Sequence, residues 1–317
     1  MEKAIAEPVH NADSFTSVSA AYRIGSFVGV SVPFVGILLA VYATWGWGFS
    51  WIDLCILVVM CGATGVGITI GFHRLFTHRS FETVRPIKII LAILGSMAVE
   101  GPMLRWVATH RRHHQHSDQL QDPHSPHRLG GGLFNVLAGW WHAHVGWIFK
   151  PSAPGLDRYV RDLCADPALR HVNRLFGVWV ALGLVIPAVA GGLMTSSWRG
   201  ALLGFLWGGL VRVFLVHHTT WSINSICHLW GTRPYETRDR SRNNLLFGVL
   251  ALGEGWHNNH HAFPTSARHG LRWYELDLSY LIICVLKRMG LAWRVRVPVR
   301  AKVLGRGDRA GVRREQT

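Results

Sequence analysis

The sequence is poor in charge. Only 16% of its 317 residues are Asp, Glu, Lys or Arg, against about 25% in soluble domains, while 49% are hydrophobic. This balance excludes a disordered chain and favours a membrane protein with sizeable polar segments. Acidic residues are scarcer than basic ones, at 18 Asp and Glu against 33 Lys and Arg. No nucleic-acid-binding motif accompanies the basic excess, so nucleic acid is not an expected partner.

Cysteine is also sparse and carries no pattern. The five cysteines are scattered and odd in number, without a Cys-x-x-Cys pair or a disulfide framework. The first 23 residues lack the basic-then-apolar layout of a signal peptide. The cysteine pattern favours a reduced, cytosolic setting.

Long uncharged runs explain the shortage of charge. Ile24–Ile52, Leu54–His73 and Leu175–Trp198 carry no charge, and Gly200–Val216 carries only Arg212. A bilayer core of about 30 Å needs roughly 20 helical residues. We therefore predict an all-α polytopic membrane protein with four transmembrane helices in two hairpins, at residues 25–45, 51–72, 175–195 and 200–217. Arg212 is expected to face protein, since an ionisable group is costly in lipid.

Basic residues concentrate outside these helices. Residues 74–174 and 218–317 together hold 29 of the 33 Lys and Arg. Two spans separate one segment from the other, so both segments and both termini share one face, which the positive-inside rule makes cytoplasmic. The predicted layout is a single membrane domain over residues 1–317. Its cytosolic helical cap is formed by 73–174 and 218–290, and a basic tail follows at 291–317.

Histidine is abundant, with 19 residues, and much of it lies in three tight boxes on the predicted cytoplasmic side. The boxes are His73 and His78, then His110, His113 and His114, and then His257, His260 and His261, while a lone His228 follows Asn224 by four residues. Helical positions i, i+3 and i+4 share a face, so the second and third boxes each present three imidazoles together. His73 and His78 are about 140° apart on an ideal helix and can meet only near a helix end or across a wide site.

Nine clustered imidazoles are too many for one metal ion and suit two. The predicted ligands are therefore His73, His78, His110, His113, His114, His228, His257, His260 and His261. The remaining histidines are expected to be surface, interfacial or supporting groups: His116, His124, His127, His142, His144, His171, His217, His218 and His269, with His10 in the N-terminal tail. A His-rich metal transporter or sensor is an alternative of a different class. Transport would place polar or ionisable residues at mid-bilayer, whereas the uncharged runs of the first two spans carry no charge there and the histidines lie at one face.

The residues around the boxes resemble the membrane fatty-acid desaturases, and within them the acyl-CoA Δ9 (stearoyl-CoA-type) branch. The resemblance is carried by His73-Arg-Leu-Phe-Thr-His78, by His110-Arg-Arg-His113-His114 with Asp122-Pro-His124-Ser-Pro126, by Gly253-Glu-Gly-Trp-His257-Asn-Asn-His260-His261, and by Asn224-Ser-Ile-Cys-His228 with Gly231-Thr-Arg-Pro-Tyr235. It covers about residues 30–285.

This resemblance implies two irons held by the nine histidines, a water held by Asn224, and molecular oxygen as co-substrate. The reaction would remove two hydrogens from a saturated acyl chain, as acyl-CoA, and leave a cis double bond at Δ9. An acyl-lipid desaturase and a related di-iron fatty acid hydroxylase are the alternatives. The chain would lie in a bent tunnel between the helices, with Leu57 and Cys61 predicted near its end.

Two further expectations concern charge and electrons. Asp118, Asp122, Glu100 and Glu254 are candidates for offsetting the positive charge of the metals. No His-Pro-Gly-Gly haem motif occurs in the sequence, so electrons are expected from a separate protein, a ferredoxin or a small haem protein with its reductase. The basic cytoplasmic face suits an acidic donor.

Overall fold

The computed structural model describes residues 20–127, 132–150 and 155–299. This part of the chain is mostly helical, and two short strands, β1 (Glu82–Thr83) and β2 (Ala292–Trp293), pair antiparallel. His10 and most of the predicted basic tail lie outside the described residues. The all-α prediction is confirmed for the residues described.

Helices follow one another along the chain, with longer connections after α4, α10 and α12. The α-helices are α1 (Ala20–Trp47), α2 (Trp51–Val66), α3 (Arg85–Met97), α4 (Met103–His116), α5 (Leu133–His144), α6 (Arg161–Cys164), α7 (Pro167–Arg174), α8 (Phe176–Thr195), α9 (Trp198–Gly204), α10 (Arg212–Leu229), α11 (Leu245–Leu250), α12 (His257–Ala262) and α13 (Leu278–Arg288). Two π-helical segments extend them: Gly67–Thr77 continues α2, and Phe205–Val211 joins α9 to α10. Gly146–Phe149 and Leu156–Tyr159 are short 3₁₀ turns.

Four helical stretches of the described chain are long and apolar enough to cross a membrane. They are Arg23–Trp47, Trp51–Thr77, Phe176–Thr195 and Trp198–Leu229. Each lies where the sequence predicts a span, but the second and fourth continue beyond the predicted residues 72 and 217. In the extension of the fourth, polar side chains bond within the helix: Ser222 Oγ donates to the His218 carbonyl at 2.6 Å, and Ser225 Oγ to the Trp221 carbonyl at 2.9 Å.

The junctions between these stretches lie close together, at one end of the helices. The Trp47 and Trp198 rings are 5.5 Å apart, and the Arg199 guanidinium lies over Trp47. Ser50 caps α2 in a capping box with Asp53, which begins the second stretch. The His73–His78 box is at the opposite end of the second stretch.

Arg212 faces protein, as predicted. Its side chain is fully buried and donates to the carbonyls of Met97, Gly183 and Gly208 at 2.6, 2.7 and 3.2 Å. Three carbonyl oxygens thus satisfy the guanidinium. The cost of placing an ionisable group in an apolar helix is reduced in this way.

Candidate metal centre

The first box owes its geometry to the π-helical segment. The His78 amide donates to the His73 carbonyl at 3.1 Å, and Thr77 Oγ1 donates to the Phe72 carbonyl at 2.8 Å, both across five residues. An i→i+5 helix brings residues five apart onto one face, which an α-helix does not. The His73 and His78 ring centroids are 4.7 Å apart. This wider turn removes the difficulty posed by the spacing of the first box.

All nine predicted ligands gather in two adjacent groups. The five-histidine group contains His73, His78, His110, His114 and His260, and the four-histidine group contains His113, His228, His257 and His261. In each group, one ring nitrogen per residue lies within 4.8 Å of all the others. The rings of His114 and His261 stack at 4.6 Å, so the two groups share a border.

The boxes and the groups do not coincide. His110 and His114 enter the five-histidine group from one face of α4, while His113 turns to the other group. On α12 it is His260 that crosses over, and His257 stays with His261. Residues at i and i+4 therefore share a group, and the residue at i+3 links the two.

The arrangement fits metal ions. Ring nitrogens approach at 3.0 Å (His260 Nε2 to His114 Nε2), 3.1 Å (His228 Nε2 to His257 Nε2) and 3.2 Å (His73 Nε2 to His260 Nε2). Among the described residues, the buried Nε2 atoms of His78, His113 and His261 have no hydrogen-bond partner. Buried polar atoms are rarely left so. The two groups could hold metal, with imidazole nitrogen as the donor throughout.

Protonation favours the same interpretation. Burial, and then the charge of neighbouring imidazoles, hold the pKa values of His110, His114 and His260 well below the usual range for histidine. These rings are therefore neutral at physiological pH. A neutral imidazole is the form that binds a transition metal.

Four carboxylates lie against the outer nitrogens of these histidines, three in hydrogen bonds and Glu254 in a close charge contact. Glu254 lies 2.7 Å from His73 Nδ1, Asp118 2.9 Å from His228 Nδ1, Asp122 3.0 Å from His113 Nδ1, and Asp239 2.7 Å from His261 Nδ1. Such bonds fix the ring orientation and raise the basicity of a ligand. The sequence predicted the first three. Asp239 was missed, because it lies in a polar stretch whose spacing gives no signal.

Asp239 is held ionised by its surroundings. Burial by itself would raise its pKa, but hydrogen bonds and charge from His261, with a further bond from Ser241, hold the pKa well below its usual range. Its Oδ1 accepts from the Ser241 hydroxyl at 2.5 Å and amide at 3.0 Å, while its Oδ2 faces His261.

Glu100, the fourth acid that the sequence predicted, contacts Trp106 instead of a histidine of either group. Its Oε2 accepts from Trp106 Nε1 at 2.9 Å, and the Trp106 ring stacks on His110 at 5.0 Å. Burial raises the pKa of Glu100 to about 7, only partly offset by hydrogen bonds from Thr220 and Trp106. A carboxyl so placed is partly protonated at neutral pH, and it offsets less positive charge than an ionised one.

Two of the histidines expected to be surface, interfacial or supporting groups are supporting ones. His269 Nδ1 lies 3.1 Å from Glu254, and its ring is 4.5 Å from that of His260. The His124 ring is 4.4 Å from that of His113. His124 lies in the Asp122-Pro-His124 motif, which was a usable signal, whereas His269 had none. By contrast, His171 is exposed.

A cavity of about 870 Å³ adjoins both groups. Its wall includes His73 and His110 of the five-histidine group and His257 of the four-histidine group. Much of the wall is apolar, and Leu57 and Cys61 belong to it; their predicted place at the end of a tunnel stays a prediction. Asn224, one helical turn before His228, also lines it.

Comparison with known proteins names the family. Residues 46–283 match the family model described as fatty acid desaturase. The chain belongs to the fatty acid desaturase family. The protein is therefore an oxidoreductase by family, with apolar helices suited to a membrane and histidine groups that could hold metal.

Its relatives differ in the carrier of the acyl chain. The chain is 44% identical over 269 residues to the hex-5-enoyl-[acyl-carrier protein] acetylenase of Moorena producens (strain JHB), covering 84% of each chain. It is 39% identical over 253 residues to the sn-1 stearoyl-lipid 9-desaturase of Anabaena variabilis, covering 78% of this chain and 86% of that one. It is 37% identical over 260 residues to the acyl-CoA C20 Delta5-desaturase of Anemone leveillei, covering 81% of this chain and 76% of that one.

Proposed function

We propose that this protein is a membrane-bound, oxygen-dependent acyl desaturase that forms a cis double bond, at Δ9, in the saturated chain of an acyl-CoA. One observation carries the proposal: a large, mainly apolar cavity meets both histidine groups, through His73, His110 and His257. An acyl chain in that cavity would have its methylene groups beside the metal positions. Fixed placement of this kind is a main contribution of a protein to a reaction of an unactivated C–H bond.

Two irons would occupy the histidine groups, one in each. When bound, they supply the redox chemistry that an unactivated C–H bond requires. Overall, a CH₂–CH₂ pair, O₂, two electrons and two protons would give a CH=CH pair and two waters. Asn224 would hold a water beside the four-histidine group, since it lines the cavity one helical turn from His228.

The residues of the chain hold and shield this site. Asp118, Asp122, Asp239 and Glu254 orient four of the imidazoles and offset metal charge through their Nδ1 bonds. The apolar wall, with Leu57 and Cys61, excludes water and positions the chain. Electrons would come from a separate protein, a ferredoxin or a small haem protein with its reductase.

The proposed topology is four spans in two hairpins, with the cap (73–174 and 218–290), the site and both termini on the cytoplasmic face. The positions of 29 of the 33 Lys and Arg support it. So does the placing of the span junctions at the end opposite the first box. Reporter fusions at both ends and within residues 80–170 test the topology. A reporter active only outside the cytosol at any of these places contradicts it.

The acyl carrier has a second candidate. The similarity to a stearoyl-lipid 9-desaturase favours an acyl group already esterified in lipid. Purified protein in lipid nanodiscs, supplied with iron, oxygen and a reductant, should be offered stearoyl-CoA, stearoyl-acyl-carrier protein and a stearoyl-lipid in parallel. Mass spectrometry then maps the double bond in each product.

Each result of this experiment decides a part of the proposal. A Δ9 product from stearoyl-CoA alone supports it fully, whereas product from the lipid alone moves the substrate to the second candidate. A hydroxylated product would show a hydroxylase. His260→Ala should abolish product, and His171→Ala, an exposed histidine outside both groups, is the matched control. Metal analysis that never exceeds one ion per chain overturns the two-iron site.

A further inference from the structure

Two surface loops, one containing Asp118 and the other Asp239, each contribute a carboxylate that bonds a histidine of the four-histidine group. The Arg240 amide donates to Asp118 Oδ2 at 2.7 Å, and the same oxygen lies 2.9 Å from His228 Nδ1. The adjacent residue, Asp239, bonds His261 Nδ1 at 2.7 Å. A single carboxylate side chain thus lies between the backbone of residues 239 and 240 and each of two histidines of the group: Asp239 before His261, and Asp118 before His228.

The outer side of these loops carries cations and an apolar side chain. Arg238 and Arg240 are exposed, and Arg240 Nη1 lies 3.3 Å from His127 Nδ1, which joins the segment 118–127 to the segment 230–242. Leu120, two residues from Asp118, is 78% exposed. Glu236 is the one exposed acid in the segment 230–242, which holds four arginines. We call residues 118–127 and 230–242 together the arginine face.

The five-histidine group has a different outer connection. Its carboxylate, Glu254, bonds the Arg74 guanidinium at 3.2 Å. Arg74 is 0% exposed and bonds Asp277, which is also buried. Its carboxylate therefore leads to a buried ion-pair network, whereas the carboxylates of the four-histidine group lead to the arginine face.

We propose that the arginine face is the docking surface of an acidic electron-donor protein, with electrons entering at the four-histidine group. The inference rests on the proposed function, which requires two electrons in each turnover. Redox partners form small, transient interfaces, and opposite charge speeds their encounter. Exposed arginines and an exposed apolar side chain on two loops that are joined to each other, and that reach His228 and His261 through single carboxylates, meet both requirements.

The test uses the full-length protein in nanodiscs of uncharged lipid, loaded with iron, and two acidic donors, a [2Fe–2S] ferredoxin and a small haem protein. The variants are Arg238→Glu and Arg240→Glu, singly and combined. Arg199→Glu is the matched control, because it removes an exposed arginine beside Trp47, at the other end of the helices. The readouts are the Kd of the oxidised donor, the rate of oxidation of the reduced donor, and the salt dependence of both.

The combined variant should slow association with the better donor at least about tenfold at low salt and flatten its salt dependence. Leu120→Ser should weaken binding without changing that salt dependence. Reduction by dithionite should be the same in all variants, since the variants alter docking alone. The Arg199→Glu control should match the wild type.

Failure of this inference is separable from failure of the proposed function. Equal Kd values and equal donor oxidation rates in wild type and combined variant overturn the docking surface, as does a wild type that neither donor binds in a salt-dependent way. A different result would separate the two proposals. If the wild type binds and oxidises the donor, the combined variant does neither, and no reductant yields a desaturated product, then the docking surface is upheld and the proposed function is overturned.

Discussion

Asp239→Asn is the change that most directly tests the carboxylate support of the site. The carboxylate is buried, with one oxygen facing His261 Nδ1 and the other accepting from the Ser241 amide and hydroxyl. An amide of the same shape has one oxygen and one NH₂. Whichever way it turns, the NH₂ faces an N–H donor, either that of His261 or that of Ser241. The substitution therefore removes a charge and one of the two sets of bonds.

The magnitude follows from those bonds. Hydrogen bonds to charged groups contribute about 1.5–3 kcal/mol each, and about 1.4 kcal/mol is tenfold in affinity. We expect the four-histidine group to bind its metal roughly 10- to 100-fold more weakly, as is typical when the partner of a histidine ligand is lost. The five-histidine group should be unaffected, because its carboxylate is Glu254.

The assay is iron content per chain against increasing concentrations of a chelator. Wild type should lose its two irons at high chelator, while Asp239→Asn should lose one of them at a 10- to 100-fold lower concentration. Glu82→Gln is the control: the same change of atoms at an exposed carboxylate that bonds Arg294 and Trp293. If Asp239→Asn releases iron as the control does, the carboxylate does not support the site.

Three further changes have predicted outcomes. Asn224→Ala should keep most of the iron yet lose 10- to 100-fold in turnover, with partial recovery in Asn224→Asp; normal turnover would return Asn224 to a structural role. Cys61→Phe should shift products to shorter chains because Cys61 lines the cavity, whereas Cys55→Phe, exposed on the same helix, should leave chain length unchanged. Gly67→Ala should destabilise the protein by about 1–3 kcal/mol, because a Cβ there would lie 2.1 Å from the Gly95 amide nitrogen. Gly62→Ala should not destabilise the protein, because a Cβ at Gly62 would have no atom within 4 Å. Thermal unfolding of both variants measures the difference.

Sequence reasoning went furthest where spacing and chemistry agree. The histidines at i, i+3 and i+4 indicated shared helix faces, and all nine do converge. Uncharged runs located the four apolar stretches to within a few residues at most ends. The 140° separation expected of His73 and His78 does not occur, because that expectation assumed an α-helix and the chain forms a π-helix over Gly67–Thr77.

Other features depend on packing that a single sequence does not reveal. The π-helix lies against α3, where glycine meets glycine at Gly67 and Gly95, and no local pattern marks that approach. Asp239 and His269 reach the site from loops. Asp239 bonds His261, which is tens of residues further along the chain, and the ring of His269 lies beside that of His73, which is still more distant in sequence. The division into five and four histidines is set by how α4 and α12 face each other across the site.

The four carboxylates that bond the histidines have a consequence for the life of the protein in a cell. Two divalent irons would bring four positive charges beside the carboxylates of Asp118, Asp122, Asp239 and Glu254, and Glu254 is also paired with the buried Arg74. A chain that has not received its irons keeps the other three carboxylates in the protein interior without that positive charge, which is costly. Newly made chains would then be least stable when iron is scarce, and proteases remove unstable chains first. Iron supply would therefore set the abundance of this desaturase as well as its activity.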